Sequence, residues 1–228
     1  LLFAEQREVL RAVAWAVERR IGQGYLLDPS LNVRPGLRRL LAEIARLNAG
    51  RFVRFFSEIR AEAVDEDLAD RFAAAGFDWF EIGLQTTTPR ALRLMRRPTR
   101  LERVLAGVQR LKARGITPSI DLILGLPGDD LAGFMRSVDW VAEHGLQDDV
   151  QVFPLAVLPG TDFRRRRREL GLQSSPRPPY TVRRTAGFSP EDFLQAYDYA
   201  ESRFDTVFFP LPDLDAAWRV GEPARPWM

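Results

Sequence analysis

Ser119-Ile120-Asp121-Leu122-Ile123-Leu124-Gly125-Leu126-Pro127-Gly128 is an apolar run with one acid inside it and a Gly/Pro cluster at its end. A run this short, bounded by breakers, predicts a strand buried on both faces. A carboxylate placed there is costly unless it is paired or faces a polar site, which makes Asp121 the first candidate for chemistry. Gly125 and Gly128 allow a close approach of backbone and ligand just beyond the strand.

Working outward, the same grammar repeats. Val9, Val13, Ala16 and Val17 predict a helix through Glu18, and Tyr25-Leu26-Leu27 a short strand that enters the polar turn Asp28 to Asn32. Leu37, Leu40, Leu41, Ile44 and Leu47 stripe a second helix, and Phe52 to Ile59 is a strand carrying Glu58. Asp65-Glu66-Asp67 starts a helix that Gly76 stops. Trp79 to Leu84 is a strand ending in Gly83-Leu84-Gln85, and Thr88-Pro89 opens a short helix. Thr99-Arg100-Leu101-Glu102 is a capping-box pattern. After the central strand come a helix with Phe134, Val138 and Val141 inward, a strand from Val150 to Val157, and a helix through Arg164 to Arg168. Residues 173–187 read as a surface loop, Ser189-Pro190-Glu191 starts one more helix, and the tail from Pro210 has no convincing pattern.

Five strands alternating with helices imply a parallel sheet. Asp28, Glu58, Gln85, Asp121 and the segment Pro154-Leu155-Ala156 all fall near the C-terminal ends of strands, where barrel enzymes build their sites. The predicted fold is therefore α/β; right-handed crossovers allow a barrel or an open doubly wound sheet, and the placing of the polar residues favours a barrel-like arc over residues 1–172, with a C-terminal loop, helix and tail over 173–228.

Composition narrows the function. With 228 residues, 46% of them hydrophobic, the chain can bury a sizeable core. It has neither a membrane-length apolar run nor a signal-peptide core, so the expected location is the cytoplasm, with no membrane partner. The absence of cysteine excludes disulfides and thiolate-held metals within these residues, and the one histidine, His144, argues against a His-based metal site or Ser-His dyad. The net charge is only +2, and five consecutive arginines point all round a helix, so nucleic acid is not the expected partner.

Six segments, in order, resemble the core of radical S-adenosylmethionine (radical SAM) enzymes: Leu27 to Asn32, Glu58-Ile59-Arg60, Glu81-Ile82-Gly83-Leu84-Gln85-Thr86, Leu94 to Pro98, Asp121 to Gly128, and Leu158 to Thr161. The likeness is to the branch that carries a cobalamin-binding domain ahead of the barrel. It implies a partial βα barrel open on one side. It also implies a [4Fe–4S] cluster on three cysteines in the first strand and loop, and reductive cleavage of SAM to a 5′-deoxyadenosyl radical that acts on a small-molecule substrate. This chain has no such cysteines. Leu1 falls where the family has the helix after the cluster loop, so the expectation is a chain missing its first strand, cluster loop and upstream domain, inactive alone. The reaction of the whole protein would be radical chemistry, with cobalamin-dependent methyl transfer or rearrangement as the branch-level expectation.

By the same resemblance, Asp28 recognises the methionine amino group of SAM, Glu58 the amino group or ribose, Gln85 and Asp121 the ribose, and Arg97 the methionine carboxylate; Ile123 and Ala156 flank the adenine. Ordinary readings stand beside these. Asp28 is also a turn residue before Pro29, and Asn32 an ordinary turn residue. Glu58 suits a pair with Arg60, Arg93 and Arg96 compete with Arg97, and Ile123 and Ala156 suit a core. Two rival functions are open on the sequence: a metal-dependent barrel enzyme using Asp28, Glu58 and Asp121, and a degenerate barrel acting as a binding or scaffold module.

Overall fold

The structure is a computed structural model that describes residues 3–208; Leu1 and the tail from Pro210 lie outside the described residues. In chain order the elements are α1 (Gln6–Glu18), β1 (Gln23–Leu26), α2 (Leu37–Leu47), β2 (Arg54–Ile59), α3 (Glu66–Ala75), β3 (Phe77–Gln85), α4 (Pro89–Leu94), α5 (Leu101–Lys112) and β4 (Thr117–Leu124). They continue as α6 (Leu131–Glu143), β5 (Val150–Pro154), α7 (Asp162–Arg166), β6 (Gln173–Ser174), β7 (Val182–Arg184) and α8 (Pro190–Phe204). Strands β1 to β5 form one parallel sheet in sequential order, the arrangement expected of a partial βα barrel, and the sheet is open, with β1 and β5 at its edges.

The chain divides into two compact units. Of the described residues, the first comprises 3–84, 99–121 and 144–150. Its core follows from the striped helices: Leu37, Leu40, Leu41 and Ile44 of α2 are buried, as are Leu68, Ala69 and Phe72 of α3. Asp65 caps α3 by accepting from Leu68 N at 2.8 Å, and Gly76 ends it in the left-handed region at φ 93°. Asn48 ties that corner together. Its Nδ2 donates to Val53 O at 2.7 Å and Ala75 O at 3.2 Å, while its Oδ1 accepts from Val53 N at 3.1 Å.

β3 starts two residues before the predicted Trp79 because the pairing with β2 carries a bulge. The register runs Phe55↔Phe77, then Phe56↔Trp79, so Asp78 is an extra residue on β3. Phe77 and Phe80, three apart, therefore share a face and both pack against Phe72, at 5.2 and 4.6 Å between ring centroids. On the other face Phe56 meets Trp79 at 6.2 Å, and the next row aligns Glu58 with Glu81.

The capping box expected at Thr99 does not form. α5 begins with Arg100 as the cap residue and no side-chain cap hydrogen bond, one residue out of step with the Thr-x-x-Glu pattern.

Of the described residues, the second unit comprises 85–98, 122–143 and 151–208. Its core joins Ala91 of α4 with Leu126, Leu155, Val157, Leu172 and Val182. Here the loop expected over 173–187 is corrected: β6 and β7 pair antiparallel, Ser175 N donates to Thr181 O at 2.9 Å, and Val182 N donates to Leu155 O at 2.7 Å. Ser189 and Asp192 form the capping box that starts α8. The arginine helix α7 is largely self-neutralised. Arg165 and Arg166 pair with Asp162, Arg166 also with Glu169, and Arg164 lies 5.1 Å over the Tyr180 ring.

Candidate functional site

The chemistry of the first unit gathers on the half-exposed face of β2 and β3. A parallel pair places register partners on the same face, so Glu58 and Glu81 stand side by side. From β1, Tyr25 Oη donates to Glu81 Oε2 at 3.3 Å. From β4, Asp121 joins them; it is 5% exposed, and its Oδ1 is buried with no hydrogen-bond partner among the described residues. Burial foremost, then the charge of Glu81, a hydrogen bond with it, and the charges of Glu58 and Asp149, push the Asp121 carboxyl up to about 8. Burial and the neighbouring Glu81 push the Tyr25 phenol up to about 12, so it remains a donor across the physiological range.

The other sequence candidates of this unit are engaged elsewhere. Asp28 sits 3.9 Å from Arg34, whose side chain is almost fully buried, donates to Ala4 O and lies over the Phe3 ring. This pair lines a cleft of about 420 Å³ with Val9, Ala12, Leu26 and Leu40. Asn32 clamps the backbone of Arg60, donating to its carbonyl at 2.7 Å and accepting from its N–H at 3.0 Å. Arg60 pairs with Glu62 at 3.1 Å.

In the second unit Gln85 ends β3 at φ 71°, and its Oε1 is buried with no hydrogen-bond partner among the described residues. Of the three competing arginines, Arg93 and Arg96 are exposed, whereas Arg97 is half-buried with its Nε shielded from solvent. Ile123 is half-buried and packs on the core around Leu126 and Leu155. Ala156, also half-buried, forms an antiparallel bridge with Thr181. Asp129, which was not singled out in the sequence, is 5% exposed and accepts from Thr86 Oγ1 and Thr88 Oγ1 at 2.8 Å each and from Asp130 N at 3.0 Å. It organises the turn before α6, and its role is structural.

Sequence reasoning missed Glu81 and Tyr25 as members of the acid cluster. The one available signal was the two-residue spacing of Trp79 and Glu81, which puts both on one face of a strand.

A parallel βα sheet with acids near the carboxyl ends of its strands is the architecture of barrel-type enzymes. A radical SAM superfamily profile matches residues 3–141, and the chain belongs to that superfamily. Among curated proteins, the heme chaperone HemW of Mycobacterium tuberculosis is 33% identical over 176 residues, which cover 74% of this chain and 41% of that protein. The chain thus spans about two fifths of the length of this curated relative. Among solved structures, the radical SAM methyltransferase TsrM of Kitasatospora setae, bound to tryptophan and a SAM analogue, superposes with a TM-score of 0.69 at 18% identity, over 87% of this chain and 46% of that one. Coproporphyrinogen III oxidase HemN of Escherichia coli does so with a TM-score of 0.61 at 20% identity, over 90% and 48%. These structural likenesses show the shared fold.

Two groups implied by the family can be tested against the residues. A [4Fe–4S] cluster needs thiolates, and the 228 residues contain no cysteine. Among the described residues, no three His, Cys, Asp or Glu side chains are arranged to hold a metal ion. These residues do not fit a cluster. SAM is a different matter, because its ribose hydroxyls are donors and Asp121 presents a buried oxygen that lacks one. No helix among the described residues is long and apolar enough to cross a membrane.

Proposed function

We propose that this chain supplies SAM-holding residues of a radical SAM enzyme, with Asp121 as the acceptor for ribose hydroxyls and Glu58 as the partner of the ribose or amino group. The observation that carries the proposal is the unpartnered Oδ1 of a carboxyl that is 5% exposed. A buried acceptor of this kind is stabilised by a ligand donor. Gln85, with its own unpartnered Oε1, takes a ribose role, Arg97 the methionine carboxylate, and Ile123 and Ala156 the adenine, each on the resemblance together with its setting in the second unit. Asp28 keeps the amino-group role only if it leaves Arg34.

Bound SAM supplies radical hydrogen abstraction in this superfamily, and the part proposed for these residues is to bind and orient it. Any cluster would be held by residues outside these 228. Methyl transfer or rearrangement with cobalamin, acting on a small molecule in the cytoplasm, is the corresponding proposal for the whole protein. Isothermal titration of the chain with SAM tests the binding role. Saturable one-to-one binding, weakened tenfold or more by Asp121→Ala, is expected; no binding to the wild-type chain overturns it.

A second reading, heme handling by the whole protein, is favoured by the 33% identity to a heme chaperone. Titrating hemin and cobalamin separately, and following the absorbance of each, decides between the two.

A further inference from the structure

Three consecutive threonines follow Gln85, and the structure gives every one of their hydroxyl protons an acceptor. Thr86 Oγ1 donates to Asp129 Oδ2 at 2.8 Å and accepts from Thr88 N at 3.0 Å. Thr88 Oγ1 donates to Asp129 Oδ1 at 2.8 Å. From α6, Ser137 Oγ donates to Gly133 O at 3.1 Å and accepts from Thr87 N at 2.9 Å. With the one proton of Ser137 committed, Thr87 Oγ1 is the donor across the 3.0 Å between those two hydroxyls. Thr86, Asp129 and Ser137 are all buried. Gly133 lets α6 come this close, since a Cβ there would stand 2.1 Å from Asp129 Oδ1.

A buried network with all its members satisfied is rigid, and this one begins one residue after a strained position. Gln85 has φ 71°, in the left-handed region, which a non-glycine residue keeps only where its surroundings over-determine it. The same residue carries a buried Oε1 with no hydrogen-bond partner among the described residues. Strain and an unsatisfied acceptor thus coincide at Gln85, while every hydroxyl beside it is paired.

We propose that Thr86 and Ser137 are positioning residues: they pin the backbone after Gln85 to Asp129 and to α6, hold Gln85 in its left-handed conformation, and so present Oε1 as the acceptor for a ligand hydroxyl. The inference deepens the SAM-binding reading and rests on it for the identity of the ligand. Thr86 pins the chain through its own side chain, and Ser137 through the Thr87 amide. An acceptor fixed in advance spares the ligand the cost of ordering it.

The test begins with thermal melts of the chain without ligand. Glycine accepts a left-handed φ and alanine resists it, so Gln85→Gly should melt about 2–4 °C above Gln85→Ala. With Thr86→Val added to both, the backbone at 85 is free to relax, and the gap should fall below about 1 °C. A gap of equal size in the two backgrounds overturns the proposal. If the Thr86→Val chains do not fold, Ser137→Ala takes their place. Amide exchange on the wild type adds a reading that needs no variant: the Thr87 and Thr88 N–H groups should exchange as slowly as those within β3, and fast exchange at both overturns the clamp.

SAM titrations then connect the clamp to the ligand. Thr86→Val should weaken binding about fivefold to tenfold, and Thr86→Ser, which keeps the hydroxyl, less than about twofold. In the Gln85→Ala background Thr86→Val should change the affinity less than about twofold, because the group it positions is gone. An equal loss in both backgrounds overturns the positioning role, since a merely structural threonine would weaken binding whether or not Gln85 is present. The melts use no ligand, so failure of the wild-type chain to bind SAM condemns the ligand assignment alone and leaves the clamp to be judged by them.

Discussion

Gly107 of α5 lies so close to Ala61 that a methyl group at position 107 would sit 1.9 Å from the Ala61 carbonyl oxygen. Helix propensity alone favours alanine there by about 1 kcal/mol. The clash is with backbone, which cannot swing aside, and overpacking of this kind costs about 1–3 kcal/mol or more. Gly107→Ala is therefore expected to lower the thermal midpoint. A melt that shows an equal or higher midpoint would contradict this packing of α5.

Asn48 is 1% exposed and serves three backbone groups. Asn48→Ala leaves two carbonyls and one N–H without their partner, for an expected loss of about 2–4 kcal/mol in urea unfolding. The neighbouring Gly76 packs tightly on this amide in the wild type, since a Cβ there would meet Asn48 Nδ2 at 2.6 Å.

Asp121 makes stability depend on pH with an unusual sign. Its unfolded carboxyl loses a proton near 4 and its folded one near 8. Between those values the folded state binds more protons than the unfolded state, so stability falls as pH rises through that window. Asp121→Asn should therefore exceed the wild type by roughly 2–5 kcal/mol at pH 8, with the gap closing towards pH 4. Urea midpoints measured at both pH values check the sign. The same variant should bind SAM less well, a separation of stability from function that sites of this type commonly show.

Gly125 combines a φ of 87° with the nearness of Phe193 Cζ, 2.7 Å from where a Cβ would stand. Gly125→Ala should cost about 2–4 kcal/mol, part from backbone strain and part from the ring. Phe193→Leu in the same chain should restore only the second part. A double-mutant cycle with no coupling would mean that the ring does not matter.

Much of the fold was legible because side-chain pattern and capping chemistry agreed. Leu37, Leu40, Leu41 and Ile44 are buried as their spacing demands, and Asp65 and Ser189 cap the helices they precede. The β6–β7 pair was not legible, since strands of two and three residues offer no period and are held by backbone hydrogen bonds. Thr99 and Glu102 matched a capping pattern, but the helix starts from Arg100. At the candidate site, Asp121 and Gln85 stood out as polar groups ending or interrupting apolar runs, and both carry buried oxygens without hydrogen-bond partners among the described residues. Glu81 did not stand out. Its proximity to Glu58 depends on an offset between two strands that neither strand's sequence displays.

The bulge at Phe55/Phe56 determines that offset. Continuing the Phe55↔Phe77 pairing with Asp78 paired to Phe56 instead of bulged out would put Phe80 opposite Glu58 and Glu81 opposite Ile59. Pairing every residue of the strand in this way would therefore exchange an acid for a phenyl ring beside Glu58, with no amino acid in either position replaced. The bulge that takes up Asp78 is thus as much a part of the site's inheritance as the identity of its carboxylates.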